Sequence, residues 1–155
     1  MKKFISVDLG STTMGVAKSD ILGIAYPFEE FRFDRGNYRA ARERLYEICK
    51  STGIYDVVVG YPYQLDRQAG DRCDSVDRFI NDLINAYPEV KVDRCDESFT
   101  TIEAHERLRE AGHSEKEIKI VIDMYSAVVI LEDFLKSYIE SRKPYKGDDN
   151  LWQTT

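Results

Sequence analysis

Apolar residues change their spacing several times along the chain, and each change marks an element. Residues 3–9 (KFISVDL) read as a first strand. Gly10 opens a polar turn, and 14–20 (MGVAKSD) follow at hairpin spacing as a second. A third covers 28–33 (FEEFRF). Over 37–51 the period lengthens, with Tyr38, Ala41, Leu45, Ile48 and Cys49 on one face, predicting an amphipathic helix. The short run 56–60 (DVVVG) reads as a buried parallel strand. A helix over about 72–86 turns Val76, Phe79, Ile80, Leu83 and Ile84 inward, and 90–94 form a fifth strand.

Two helices close the pattern. Thr100 and Glu103 stand at capping-box spacing, and that helix ends at Gly112. Ser114 and Glu117 repeat the spacing before a helix running to about 141. It is apolar on nearly all sides between Ile118 and Leu135, which requires packing against the sheet. An opening three-strand meander followed by α-β-α-β-α-α predicts an α/β fold. Its mixed five-stranded sheet, three antiparallel strands then two parallel, is flanked by helices on both faces.

With 155 residues, and neither a repeat nor a linker, one domain over 1–141 with a polar tail over 142–155 is expected. No apolar run approaches the roughly 20 residues that span a bilayer, so a cytoplasmic protein without membrane association is expected. Cys49, Cys73 and Cys95 are scattered, and with His105 and His113 they make no zinc-type spacing. A net charge of −6 argues against coating nucleic acid by bulk electrostatics, although a nuclease needs only a local basic strip. Arg32, Arg35, Arg39, Arg42 and Arg44 are the densest basic region. Glu43 and Glu47 interleave with them, as on a solvated helix face.

The chemistry lies in the acids. Asp123 is the only charged residue in IVIDMYSAVVIL, a setting that demands pairing, neutralisation or a cation. Lys119, one turn earlier, is an ordinary salt-bridge partner for it. Asp8 lies near the end of the first strand, on the side shared by Phe4 and Ser6. Glu97 follows the fifth strand, where an acid also suits a helix dipole, and Asp96 beside it could exchange roles with it. Sites in such sheets gather beyond the carboxyl ends of parallel strands. Asp8, Glu97 and Asp123 together suggest a site for two divalent cations about 3.5–4 Å apart, serving phosphodiester chemistry. Gly10 and Gly15 bracket Ser11, Thr12 and Thr13 in a turn open to phosphate, and the loop from Gly60 offers Tyr61, Tyr63, Arg67 and Arg72 for bases and phosphates.

VDLGSTTMGVAKSD, VVVGYP followed by LD, DESFTT, and IDMYSAVVILEDFL, in that order, resemble the YqgF family. These are relatives of RuvC-type resolvases with an RNase H-like fold, described as Holliday-junction-resolvase-like proteins or pre-16S rRNA nucleases. The likeness spans residues 4 to 139. It implies that Asp8, Glu97 and Asp123 are the catalytic, Mg²⁺- or Mn²⁺-binding acids, and that the substrate is structured nucleic acid. Trimming of the 5′ end of pre-16S rRNA is favoured, with branched four-way DNA as the alternative. A homodimer would suit a junction with two equivalent cut sites. Where the family often carries basic residues, this chain has Thr12, Thr13 and Met14, and also Ser98; Arg67 stands where a glycine is usual.

Two rivals share some of these features. DLGSTT also resembles the phosphate turn of the actin and sugar-kinase superfamily, but those proteins close two lobes over ATP and no second such turn occurs here. A non-catalytic RNA- or protein-binding module on the same fold is the other.

Overall fold

The structure, a computed structural model, describes residues 1–63, 70–97 and 99–142, with the backbone alone described at 70–72. The elements run β1 (Ile5–Leu9), β2 (Thr13–Ser19), β3 (Ala25–Arg32), α1 (Tyr38–Thr52), β4 (Asp56–Tyr61), α2 (Gly70–Ala86), β5 (Lys91–Asp96), α3 (Thr100–Glu110) and α4 (Glu115–Arg142). The five strands form one sheet in the order β3-β2-β1-β4-β5. β1 to β3 are antiparallel neighbours, while β4 joins β1 in parallel and β5 joins β4 in parallel. The predicted mixed sheet is thus formed, and β1 lies at its centre.

Alternation along the strands divides two cores. Ile5, Val7, Leu9, Met14, Val16, Val57 and Val59 face α1 and α2, where Leu45, Ile48, Phe79 and Leu83 meet them. Phe4, Ala17 and Val58 face the opposite way, against Ala127, Ile130, Leu131 and Leu135 of α4. Full burial of each such aliphatic side chain contributes about 1.5–3 kcal/mol. The Ser6 hydroxyl points to the α4 side and donates to the Ala127 carbonyl at 2.6 Å, tying the middle of α4 to the central strand.

Three expectations need correction. Thr100 does not cap α3: Phe99 holds the N-cap position without a side-chain bond, and the Thr100 hydroxyl donates to the Glu97 carbonyl at 3.0 Å. The Ser114–Glu117 box does form, with each side chain bonding the other's backbone N–H. Ile84 is exposed rather than inward, and α4 is covered mainly from Ser126 onward, leaving Ile120 60% exposed. On the sheet edge, β3 carries Pro27, and its register with β2 shifts between Val16 and Ala17. The tail from residue 143, with Trp152, lies outside the described residues.

Candidate active site

Asp8 has the same parity on β1 as Phe4 and Ser6, and therefore faces α4. It is only 8% exposed. Its neighbour on β2 is Gly15, and the residue beyond that on β3 is Glu30. On the other side β1 and β4 are in register at Val7 and Val59, so Gly60 follows as the neighbour of Asp8. The central carboxylate is thus flanked by two residues without side chains, and other groups fill the space over each glycine.

Over Gly15 lies the backbone of α4. A Cβ built on Gly15 would stand 2.1 Å from the carbonyl oxygen of Asp123 and 2.4 Å from its carbon. The second glycine of the turn therefore admits a helix, not a phosphate. This close approach brings Asp123 down beside the strand ends. The Thr13 hydroxyl, on the same face of β2, donates to Asp123 Oδ2 at 2.8 Å. Thr13, not Lys119, is thus the hydrogen-bond partner of the acid in the apolar run. Glu30, when it carries a proton, also donates to Asp123. Burial, and then the bond to Asp123, raise the Glu30 pKa above the ordinary carboxylate range, while Arg32, 3.2 Å away, opposes the rise. The sequence reading missed Glu30. Its place in the row Asp8–Gly15–Glu30 follows from strand register, which FEEFRF alone does not reveal.

Over Gly60 lies Glu97, 6% exposed. A Cβ at position 60 would meet Glu97 Oε2 at 2.7 Å and Ile130 Cδ1 at 2.6 Å. The backbone N–H of Glu97 donates to the Tyr61 carbonyl at 3.0 Å, so its chain continues the path of β5 alongside β4. Both clashing atoms are ends of side chains and can shift. Gly60→Ala should therefore lower activity on the order of ten- to a hundredfold by displacing Glu97, with a smaller loss of thermal stability. Parallel cleavage assays and melting curves check this, and unchanged activity counts against a role for Glu97.

Asp8 and Asp123 open onto one cavity of about 550 Å³, with Leu9, Gly10, Ser11, Thr12, Thr13, Tyr38, Ser75, Val76 and Thr101. Glu97 is not in that lining. Among the described residues no three His, Cys, Asp or Glu side chains stand ready to hold a metal ion. The donors are nonetheless carboxylate oxygens throughout, the hard ligands that Mg²⁺ and Mn²⁺ prefer. Burial pushes the Cys49 and Cys95 thiols up to about 11, so neither is a thiolate nucleophile near neutral pH.

The other proposed contacts divide. Gly10, Thr12 and Thr13 line the cavity. Tyr61 does not: its hydroxyl donates to Asp77 at 3.0 Å, and its ring contacts Tyr63 and the Arg94 guanidinium. Asp96 ends β5 on an exposed position. Arg67 and the Arg72 side chain lie outside the described residues.

The sequence matches the RuvX family, described as a Holliday junction resolvase, over residues 2–137. The chain belongs to the RuvX family. Among RuvX relatives, the "Putative pre-16S rRNA nuclease" of Lachnospira eligens is 36% identical over 137 residues, covering 87% of this chain and 97% of that protein. The protein of the same name from Staphylococcus aureus strain JH9 is 33% identical over 136 residues, covering 87% and 96%. The fold is that of RuvC. The Thermus thermophilus RuvC structure in complex with a Holliday junction substrate superposes with a TM-score of 0.61 at 12% identity, covering 94% of this chain and all of that one. A second structure of Thermus thermophilus RuvC gives 0.54 at 16% identity, covering 92% and 99%. The RNase H-like expectation is therefore met.

Proposed function

We propose that this RuvX chain is a metal-dependent nuclease that hydrolyses phosphodiester bonds in structured nucleic acid, with the 5′ end of pre-16S rRNA as its substrate. The observation that carries this reading is the convergence of Asp8 and Asp123, from the central strand and the long helix, on one cavity with Glu97 over Gly60 beside them. The names of the RuvX relatives support the ribosomal substrate, and the work belongs in the cytoplasm.

Asp8, Asp123 and Glu97 would hold one or two Mg²⁺ or Mn²⁺ ions, which offset the mutual repulsion of the carboxylates. When bound, such ions lower the pKa of the attacking water and neutralise charge on the leaving oxygen. The chain's own residues set the positions. Asp8 is fixed by the central strand, Asp123 by the Thr13 hydroxyl and the helix contact on Gly15, and Glu97 by the strand-like path that precedes α3. Gly10 and Thr12 line the wall along which the substrate backbone would lie.

The test is cleavage of a labelled ribosomal precursor beside a four-way DNA junction, each with Mg²⁺, Mn²⁺ or EDTA. Precursor cleavage with either metal and none in EDTA is expected. Equal cleavage in EDTA would remove the metal from the reading. Cleavage of the junction alone would transfer the activity to branched DNA, the reading that the family description favours. Binding without cleavage would leave a non-catalytic module.

A further inference from the structure

The arginine-rich stretch from 32 to 44 resolves into unlike members. Arg32 is paired with Glu30, Arg39 with Glu43, and Arg44 with both Glu29 and Glu47. Each of these guanidinium charges is answered by carboxylate on its own surface. Arg35 differs. It lies in the turn between β3 and α1, exposed, and its Nη1 donates to the Ser11 hydroxyl at 3.1 Å. Among the described residues no carboxylate is ion-paired with it.

The turn that carries it is fastened to the cavity wall. The Phe33 N–H donates to the Thr12 carbonyl at 2.9 Å, and the Gly36 N–H to the Ser11 carbonyl at 3.3 Å. Arg35 is therefore held between two backbone bonds to the β1–β2 turn. Ser11 and Thr12 line the cavity that holds Asp8 and Asp123, and Tyr38, just past Arg35, lines it too. An exposed guanidinium without an ion pair among the described residues thus rests on Ser11, in the wall of a cavity that holds two carboxylates.

We propose that Arg35 is a substrate-binding residue that contacts a backbone phosphate of the nucleic acid and guides the strand into the cavity. The inference rests on the nuclease reading and deepens it. A cavity lined by carboxylates on a chain of charge −6 repels a polyanion, so binding requires positive charge at the entrance. Arginine meets that need without titrating, and its planar fork matches two phosphate oxygens. One of its five N–H donors is occupied by Ser11, which fixes the side chain and leaves the others for phosphate.

The experiment measures binding of the labelled ribosomal precursor by Asp8→Asn protein in Mg²⁺, across a range of salt. It compares that protein with versions also carrying Arg35→Gln, Arg35→Lys or, as an equal change of charge, Lys91→Gln. Lys91 begins β5, at the end of that strand away from Glu97. Arg35→Gln should weaken binding about five- to twentyfold near physiological salt. It should also flatten the slope of log affinity against log salt by about 0.7–0.9, the change expected for one lost phosphate contact. Arg35→Lys should restore most of the slope, and Lys91→Gln should leave it unaltered. In otherwise wild-type protein, Arg35→Gln should raise KM more than it lowers kcat. Matching circular dichroism and melting curves establish that the fold is kept. Unchanged affinity and slope in Arg35→Gln, or an equal effect of Lys91→Gln, would overturn the assignment while leaving the nuclease reading intact. Wild-type protein that neither binds nor cleaves the precursor would overturn both.

Discussion

Asp8→Asn is expected to abolish metal-dependent cleavage of the ribosomal precursor, by about three orders of magnitude or more, while leaving the melting temperature close to that of the parent. Asn keeps the size and most of the hydrogen-bonding capacity of the side chain and removes its charge. Asp8 faces the cavity from the central strand, so the loss falls on cation binding more than on packing. Asp123→Asn should behave alike, because Thr13 can still donate to an amide oxygen at that position. Titration with Mn²⁺, followed by calorimetry, gives a second readout: both variants should bind the ion more weakly. Full cleavage by either variant would dismantle the mechanism.

The largest effect on stability is expected from Gly15→Ala. The added methyl would stand 2.1 Å from the Asp123 carbonyl oxygen and 3.1 Å from the Met124 nitrogen. These are helix backbone atoms, so no side-chain rotation relieves the contact. Either α4 lifts from the sheet or the strand shifts away from it. Lifting α4 disturbs the buried contacts of Ala127, Ile130 and Leu131 and strains the Ser6 bond to Ala127. A loss of about 3 kcal/mol or more follows, equivalent to a fall of roughly 6–12 °C in melting temperature for a domain of this size. Activity should fall with it, because the same movement withdraws Asp123 from the cavity. A melting curve that overlays the parent's would show that the helix does not rest on this glycine. Gly60→Ala provides the contrast, since the atoms in its way can move and its expected cost is mainly catalytic.

Much of this arrangement is legible in the chain before folding. Among the described residues, changes of spacing locate the elements that bury one face, such as α1 and α2, while β4 shows as a short unbroken apolar run and α4 as a long one behind the Ser114–Glu117 box. Asp123 stands out because a carboxylate in an apolar helix needs a reason, and the parity of Phe4, Ser6 and Asp8 predicts the side on which the reason lies. Glu30 was hidden by its neighbour. Glu29 and Glu30 look alike in sequence, but Glu29 faces α1 and meets Arg44 while Glu30 faces α4 and meets Asp123. The missed roles of Gly15 and Gly60 have a related cause. A glycine reads locally as a turn or a phosphate cradle, whereas here the deciding neighbours come from α4 and from the segment after β5. Thr100 was misread for the opposite reason, since a correct local spacing was overridden by its bond to the Glu97 carbonyl.

The sheet's margins restrict how a second copy of this chain could join it. At one margin Pro27 withholds an N–H from the outer strand and the irregular register twists the ladder, while the other is studded with Lys91, Asp93, Arg94 and Asp96. Both are features that discourage lateral strand addition. A dimer built to address two symmetric cuts would have to meet through helices and turns, leaving each sheet complete in itself.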